Sequence, residues 1–345
     1  MNHRTCRSVQ KIFDDVTFNK VDRKRLRFDN KKLNFFFENG ILNYSLVEII
    51  GDSGSGKTQF ALTLCAEQLL KTFEEKKENI VFYIYINRIF PMHRLTEIVE
   101  KKLEQKKQVS NIVYNSNNYG VACVENFVDS NEDYFNAPNV SKLSGDNFID
   151  SEKNHLFDEE MLNQKGVEAS KKPQSYGLSS SFDEKRKNMA RNVLQNLYIQ
   201  KINDETDFFI LFEKEIYYIL KYYKISLLVI DSFNSIFNGN EKIDSYKKHQ
   251  LFIKFSLILK KISYENDFFV LLINSSQIKK AYNSDFAFDF SDYIVSLSCS
   301  NTIIILKRTK KKNQTVRKMT VKCSEFLSKY KSLNFEITDS GFTVV

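Results

Sequence analysis

The chain has 345 residues, 42% of them hydrophobic and 27% charged, which is enough for one large or two medium domains around a real core and leaves a sizeable polar portion outside it. Its net charge of +8 favours a polyanion partner. Five cysteines without CxxC spacing, an N-terminal "MNHRTCRSVQKIFDD" without an apolar core, and no apolar run of membrane-spanning length argue against a disulfide framework, a zinc site, a secretory leader or a membrane protein.

Residues 1–40 are basic and without periodicity. They are expected to form an N-terminal segment or linker, in which "RKRLRF" (23–28) reads as a solvated stretch, with a phosphate-contacting or nuclear-import patch as the alternative. From 41 the pattern sharpens. "SLVEII" reads as a buried strand, followed by a Gly-rich loop and by "KTQFALTLCAEQLLKTF", a helix apolar nearly all round. "NIVFYIYI" is a second buried strand, and "MHRLTEIVEKKLEQ" a helix entered after Pro91. Between about 104 and 188 the composition shifts to Asn, Ser, Asp and Lys without sustained periodicity, and a disordered, low-complexity insertion is expected there.

Alternation then resumes. "NLYIQKI" is a strand, and "DFFILFEKEIYYILKYY" an amphipathic helix whose start is marked by Asp204 and Thr206. "ISLLVIDS" is a strand, "YKKHQLFIKFSLILKKISYEND" a helix and "FFVLLINSS" another strand. Continuous apolar strands separated by helices predict an α/β fold with a mostly parallel sheet covered on both faces. The last segments, "YIVSLSCSNTIIILKRTKKKNQTVRKMTVKCS" and "LNFEITDSGFTVV", read as hairpin strands added antiparallel at one edge.

Two motifs carry chemistry. Gly51, Asp52, Ser53, Gly54, Ser55, Gly56, Lys57 and Thr58 match G-x-x-x-x-G-K-[ST] between a strand and a helix, and three of the chain's ten glycines fall in this loop. Glycines let backbone N–H groups wrap a phosphate at a helix N-terminus, Lys57 is placed for the β- and γ-phosphates, and Thr58 for Mg2+. "LLVIDS" ends an apolar strand on Asp231, which reads as the second Mg2+-directed group. The residues therefore predict ATP and Mg2+ as cofactors. Glu48, in the strand before the loop, reads as a supporting carboxylate.

These stretches together resemble the RecA-type recombinases of eukaryotes. "LNFFFENGILNYSLVEIIGDSGSGKTQFALTLC", with Gln59 directly after Thr58, is similar to that family's approach into its phosphate loop. "FYIYINRIFPMHRL" is nearest in form to the recombinase paralogs, and "YKISLLVIDS" and "VLLINSSQ" match the next two strands in order. The resemblance covers roughly 30–103 and 190–345. It implies a RecA-like P-loop core over 41–345, interrupted at about 104–188. It also implies ATP binding, nuclear work in homologous recombination and double-strand-break repair, related RecA-type subunits as heteromeric partners, and single-stranded DNA reached directly or through them.

The sequence also departs from the family. Where the family has a glutamate that polarises the attacking water, this chain has Asn87, which can hydrogen-bond a water without accepting its proton. The family's Asn-Gln pair is here Asn274 followed by Ser275 and Ser276, with Gln277 displaced. Retained binding with weak, DNA-dependent hydrolysis is expected. By resemblance, the DNA-contacting loops fall at about 234–246, which lacks the expected arginine, and at about 277–293, which carries Lys279 and Lys280. The strongest basic cluster is Lys307, Arg308, Lys310, Lys311, Lys312, Arg317 and Lys318. Three readings stand: an ATP-binding accessory paralog, an autonomous DNA-dependent ATPase or strand-exchange protein, and a structural subunit that ATP merely stabilises.

Overall fold

The computed structural model describes residues 23–86, 89–116, 179–237, 245–275, 299–311 and 314–345. Strand β1 (Arg25–Leu26), helix α1 (Lys31–Phe36) and strand β2 (Ile41–Leu42) come first, with β1 and β2 paired antiparallel. Then follow β3 (Leu46–Gly51), α2 (Lys57–Glu74), β4 (Asn79–Ile86), α3 (Met92–Ser116), α4 (Ser179–Leu194) and β5 (Leu197–Ile202). A broken helix comes next: α5 (Glu205–Ile210), a π-turn (Leu211–Glu215) and α6 (Ile216–Tyr222). Strand β6 (Lys224–Asp231), a 3-10 turn (Phe233–Phe237), α7 (Ser245–Asn266) and β7 (Phe269–Ser275) complete the alternating part. The C-terminal strands are β8 (Thr302–Lys311), β9 (Gln314–Ser324), β10 (Ser332–Thr338) and β11 (Gly341–Val344).

Among the described residues, nine strands form one sheet in the order β11-β10-β9-β8-β3-β7-β6-β4-β5. Successive residues of each interior strand feed opposite faces, because side chains alternate along a strand. Val47, Ile49, Val81, Tyr83, Leu227 and Val229 pack in one cluster with α1 to α4, while Leu46, Ile80, Phe82, Ile84, Leu228 and Ile230 pack in another with α5 to α7. Both faces are covered, which is why these strands are apolar throughout. Helix α2 lies inside the first cluster. Its Phe60, Leu62, Leu64, Leu69 and Leu70 are at most 1% exposed, each contributing about 1.5–3 kcal/mol by burial. The buried pair Lys102 Nζ to Glu67 Oε1, 2.8 Å, ties α3 to α2.

Three expectations need correcting. The C-terminal strands do form the expected antiparallel edge, through β8–β9, β9–β10 and β10–β11, but β8 also runs parallel to β3, with Val47 opposite Thr302 and Gly51 opposite Leu306. The cause is the run Ile303, Ile304, Ile305 and Leu306, buried on both faces as in an interior strand. The stretch 23–28 is not a solvated linker. Leu26 and Phe28 alternate into the core, while Arg23 pairs with Glu325 and Arg25 sits over the Phe326 ring. Regular structure also reaches into the segment expected as an insertion, since α3 runs to Ser116 and α4 begins at Ser179.

Asp204 caps α5 as its position predicts, Oδ1 accepting from the Thr206 and Asp207 N–H groups at 2.8 and 3.0 Å. The chain divides into one unit of residues 1–109 with 182–345 and another of 110–181. Of the second, only the ends of α3 and α4 are described, and the site lies in the first. No helix among the described residues is long and apolar enough to cross a membrane.

Candidate functional site

Strand β3 ends at the centre of the sheet, and the loop between β3 and α2 turns on two glycines with positive φ, Gly54 at 72° and Gly56 at 112°. Only glycine takes this region without strain. A methyl group on Gly56 would also meet Phe335 Cε2 at 3.1 Å, so the turn is pressed against β10. The N-terminus of the 18-residue helix α2 opens on this loop and supplies N–H donors and partial positive charge. Lys57 Nζ donates to the carbonyls of Gly51, 2.7 Å, and Asp52, 2.8 Å. Ser55 Oγ is buried in the loop with no hydrogen-bond partner. A glycine turn at a helix N-terminus, the Lys57 ammonium and an orphaned hydroxyl fit a bound phosphate.

Thr58, in the first turn of α2, donates from Oγ1 to Asp231 Oδ2 at 2.7 Å. Asp231 closes β6, between β4 and β7, and is 9% exposed. The same oxygen accepts a second hydroxyl, Tyr83 OH, at 2.9 Å. Burial, reinforced by the neighbouring Asp231 charge, raises the Tyr83 phenol well above its ordinary range, so the phenol remains protonated and acts as a donor. No group of three or more His, Cys, Asp or Glu side chains among the described residues is arranged to hold a metal. A hard cation at this place would draw on Thr58, Asp231, water and phosphate oxygens, which is the donor set Mg2+ prefers.

Gln59, the residue after Thr58, accepts at Oε1 from Arg94 Nε, 2.9 Å. Arg94 also donates to Glu97 Oε2 at 2.6 Å, to the Asp339 carbonyl at 3.3 Å and to the Thr338 carbonyl. One arginine thereby joins the start of α2, the first turn of α3 and the β10–β11 turn. Glu48, fully buried in β3, accepts from Asn274 Nδ2 at 2.5 Å and from Ser300 Oγ at 2.7 Å. Asn274 in turn accepts at Oδ1 from the Asn234 N–H, 2.8 Å. The strand before the loop is thus tied to the end of β7 and to the residues after β6.

The predicted basic hairpin is β8–β9. Its register sets Lys307 opposite Lys318 and Arg308 opposite Arg317. Like charges directly opposite each other destabilise a strand pair. Arg308 does not project toward the hairpin tip. Its guanidinium lies over the phosphate loop, where a methyl group on Gly54 would come within 2.8 Å of Nη1. Lys310 is exposed and Lys311 ends β8. Asn87, Gln277, Lys279, Lys280 and Lys312 lie outside the described residues.

The structure therefore brings together Gly51, Asp52, Ser53, Gly54, Ser55, Gly56, Lys57, Thr58, Gln59 and Asp231, and adds Arg308 from the hairpin. Sequence reasoning missed Tyr83, Arg94 and the partners of Glu48. Tyr83 is hidden in the aromatic run "FYIYI", where a core role is the natural reading. Glu48 did leave a signal, since a lone carboxylate within the apolar strand "SLVEII" must find buried donors.

Residues 24–135 match the Rad51 family model. No curated protein matches the chain.

Proposed function

We propose, from the premise that this chain is a RecA-type recombinase family member, that it is an ATP-binding accessory protein of homologous recombination. It acts in the nucleus as a heteromer with related RecA-type subunits, assisting their filaments on single-stranded DNA, and hydrolyses ATP slowly. The observation that carries this reading is the combination of a complete phosphate loop, its Thr58 hydroxyl seated on Asp231, with asparagine at position 87.

In this reading the N–H groups of Gly54, Gly56, Lys57 and Thr58 hold the phosphates. Lys57 leaves the Gly51 and Asp52 carbonyls for the β- and γ-phosphates, and Arg308 adds a second cation beside the loop. Thr58 and Asp231 would hold Mg2+, which would supply neutralisation of phosphate charge there. Asn87 orients a water but takes no proton from it, so the nucleotide persists and stabilises an assembly rather than driving a cycle. Steady-state hydrolysis tests this. The unaltered protein is expected to turn over slowly, alone or with DNA, and Asn87→Glu to raise kcat by about 100-fold, the usual contribution of a placed general base. Rapid turnover by the unaltered protein sinks the reading.

The basic β8–β9 hairpin, on which Lys310 is exposed, supports direct contact with a polyanion. Lys310→Glu is expected to weaken single-stranded DNA binding uniformly across sequences. The log–log salt slope should fall by about 0.7 for each phosphate that is no longer neutralised. An unchanged affinity and slope favour a subunit that reaches DNA only through its partners.

A further inference from the structure

We propose that Tyr83 is a positioning residue for the cation site, its phenol fixing the orientation of the Asp231 carboxylate that Thr58 also engages. This rests on the reading of the loop as a nucleotide·Mg2+ site. Tyr83 stands in β4 opposite Val229, two residues before the pair Tyr85–Asp231, and its ring reaches along the sheet toward the strand's C-terminal end. The ring is locked: it is 1% exposed and packs edge-on against Phe90, with centroids 4.8 Å apart at 71°. Its hydroxyl can therefore reach one place, and that place is Asp231 Oδ2 at 2.9 Å.

Two donors from two different elements converge on that oxygen, Thr58 from α2 at 2.7 Å and Tyr83 from β4 at 2.9 Å. A carboxylate held by one hydroxyl can still pivot about its side-chain torsions. Held by two, its orientation is restricted, with Oδ2 committed to protein donors and the other oxygen left to a cation's hydration shell were one bound. The Thr58 hydroxyl proton is directed to Asp231, so its lone pairs would remain for the metal. Hydrogen bonds to a carboxylate are stronger than neutral ones, so the phenol holds Asp231 more firmly than a neutral contact would.

The alternative is a core tyrosine that merely satisfies its hydroxyl on the nearest acceptor. The two are separated by Mg2+ dependence. Binding of N-methylanthraniloyl-ATP to the full chain is measured by fluorescence with saturating Mg2+ and again with EDTA, and the ratio of the two affinities is the Mg2+-dependent gain. For Tyr83→Phe the gain is expected to fall about tenfold with the EDTA affinity close to that of the unaltered protein, while the nucleotide-free melting temperature falls by the few degrees that loss of one buried charge-accepting hydrogen bond brings. Asp231→Asn should lose the gain, and adding Tyr83→Phe to it should change nothing further. A Tyr83→Phe gain equal to wild type overturns the proposal. So does a loss that is equally large in EDTA, or one that persists in the Asp231→Asn background. If the unaltered protein binds the probe in neither condition, the nucleotide reading itself fails, a result distinct from any of these.

Discussion

Glu48→Ala is expected to lower the free energy of unfolding by about 3 kcal/mol, read from the midpoint of a urea transition at constant slope. The carboxylate is fully buried and accepts from Asn274 and Ser300. Alanine leaves an amide N–H and a hydroxyl in the interior without their acceptor and opens a void beside them, and each orphaned group costs about 1–3 kcal/mol. Glu48→Gln keeps the shape and offers one oxygen to Asn274 and one NH2 group to Ser300, so its cost should be about 1 kcal/mol. Equal losses for the two variants would assign the site's value to the carboxylate itself rather than to its shape. The nucleotide loop should feel the alanine variant as well, because Glu48 lies three residues before Gly51 in the same strand.

Lys57→Ala should abolish stabilisation by nucleotide. A ligand at a thousand times its Kd stabilises the folded state by about 4 kcal/mol, so the unaltered protein's melting temperature should rise by several degrees with Mg2+ and ATP. The variant should show no rise at the same concentration, since the ammonium is a mobile cation rooted in the loop itself. Without nucleotide the variant should differ from wild type by about 1 kcal/mol or less. The hydrogen bonds it gives up, to the Gly51 and Asp52 carbonyls, are partly exposed and replaceable by water. A nucleotide-dependent rise of the same size in the variant removes the phosphate loop as the binding site.

The sheet was legible wherever side-chain pattern alone decides structure. β3, β4, β6 and β7 are apolar on both faces and flanked by helices, so their existence, type and order follow from hydrophobic periodicity. The direction of β8 did not follow, because "TIIILKRTKK" changes character midway. Its first half, Ile303 to Leu306, is an interior strand, and its second half, Arg308 and Lys310, is half of an exposed hairpin. The basic second half drew the whole segment into the hairpin reading. The short β1 was hidden in the same way, since four cations around Leu26 and Phe28 outweigh two apolar residues in any composition window.

The site divides along similar lines. The loop and Asp231 are local signatures, each complete within a few residues. Tyr83, Arg94 and the Asn274–Ser300 pair act through side chains that meet only after folding, at separations in sequence of 148, 35 and up to 252 residues. Arg94 and Asn274 stand in stretches that the resemblance marks, but nothing local shows which side chains they meet. Arg308 is the clearest case: its run of lysines reads as a polyanion surface, yet the pairing of β8 beside β3 turns this one side chain onto the phosphate loop.

The packing of α2 against the last strands sets the order in which the molecule can be completed. Phe342 stacks on Phe335 at 4.1 Å, stands edge-on to Phe60 at 5.1 Å, and donates its backbone N–H to Thr63 Oγ1 across 279 residues of sequence. The helix that carries Lys57 and Thr58 therefore has an unfilled flank until the final strands arrive. During synthesis the phosphate loop emerges well before its supporting wall, which follows 279 residues after Thr63. A chain still on the ribosome holds the motif without the pocket, and loop closure over so long a separation makes the closing step slow.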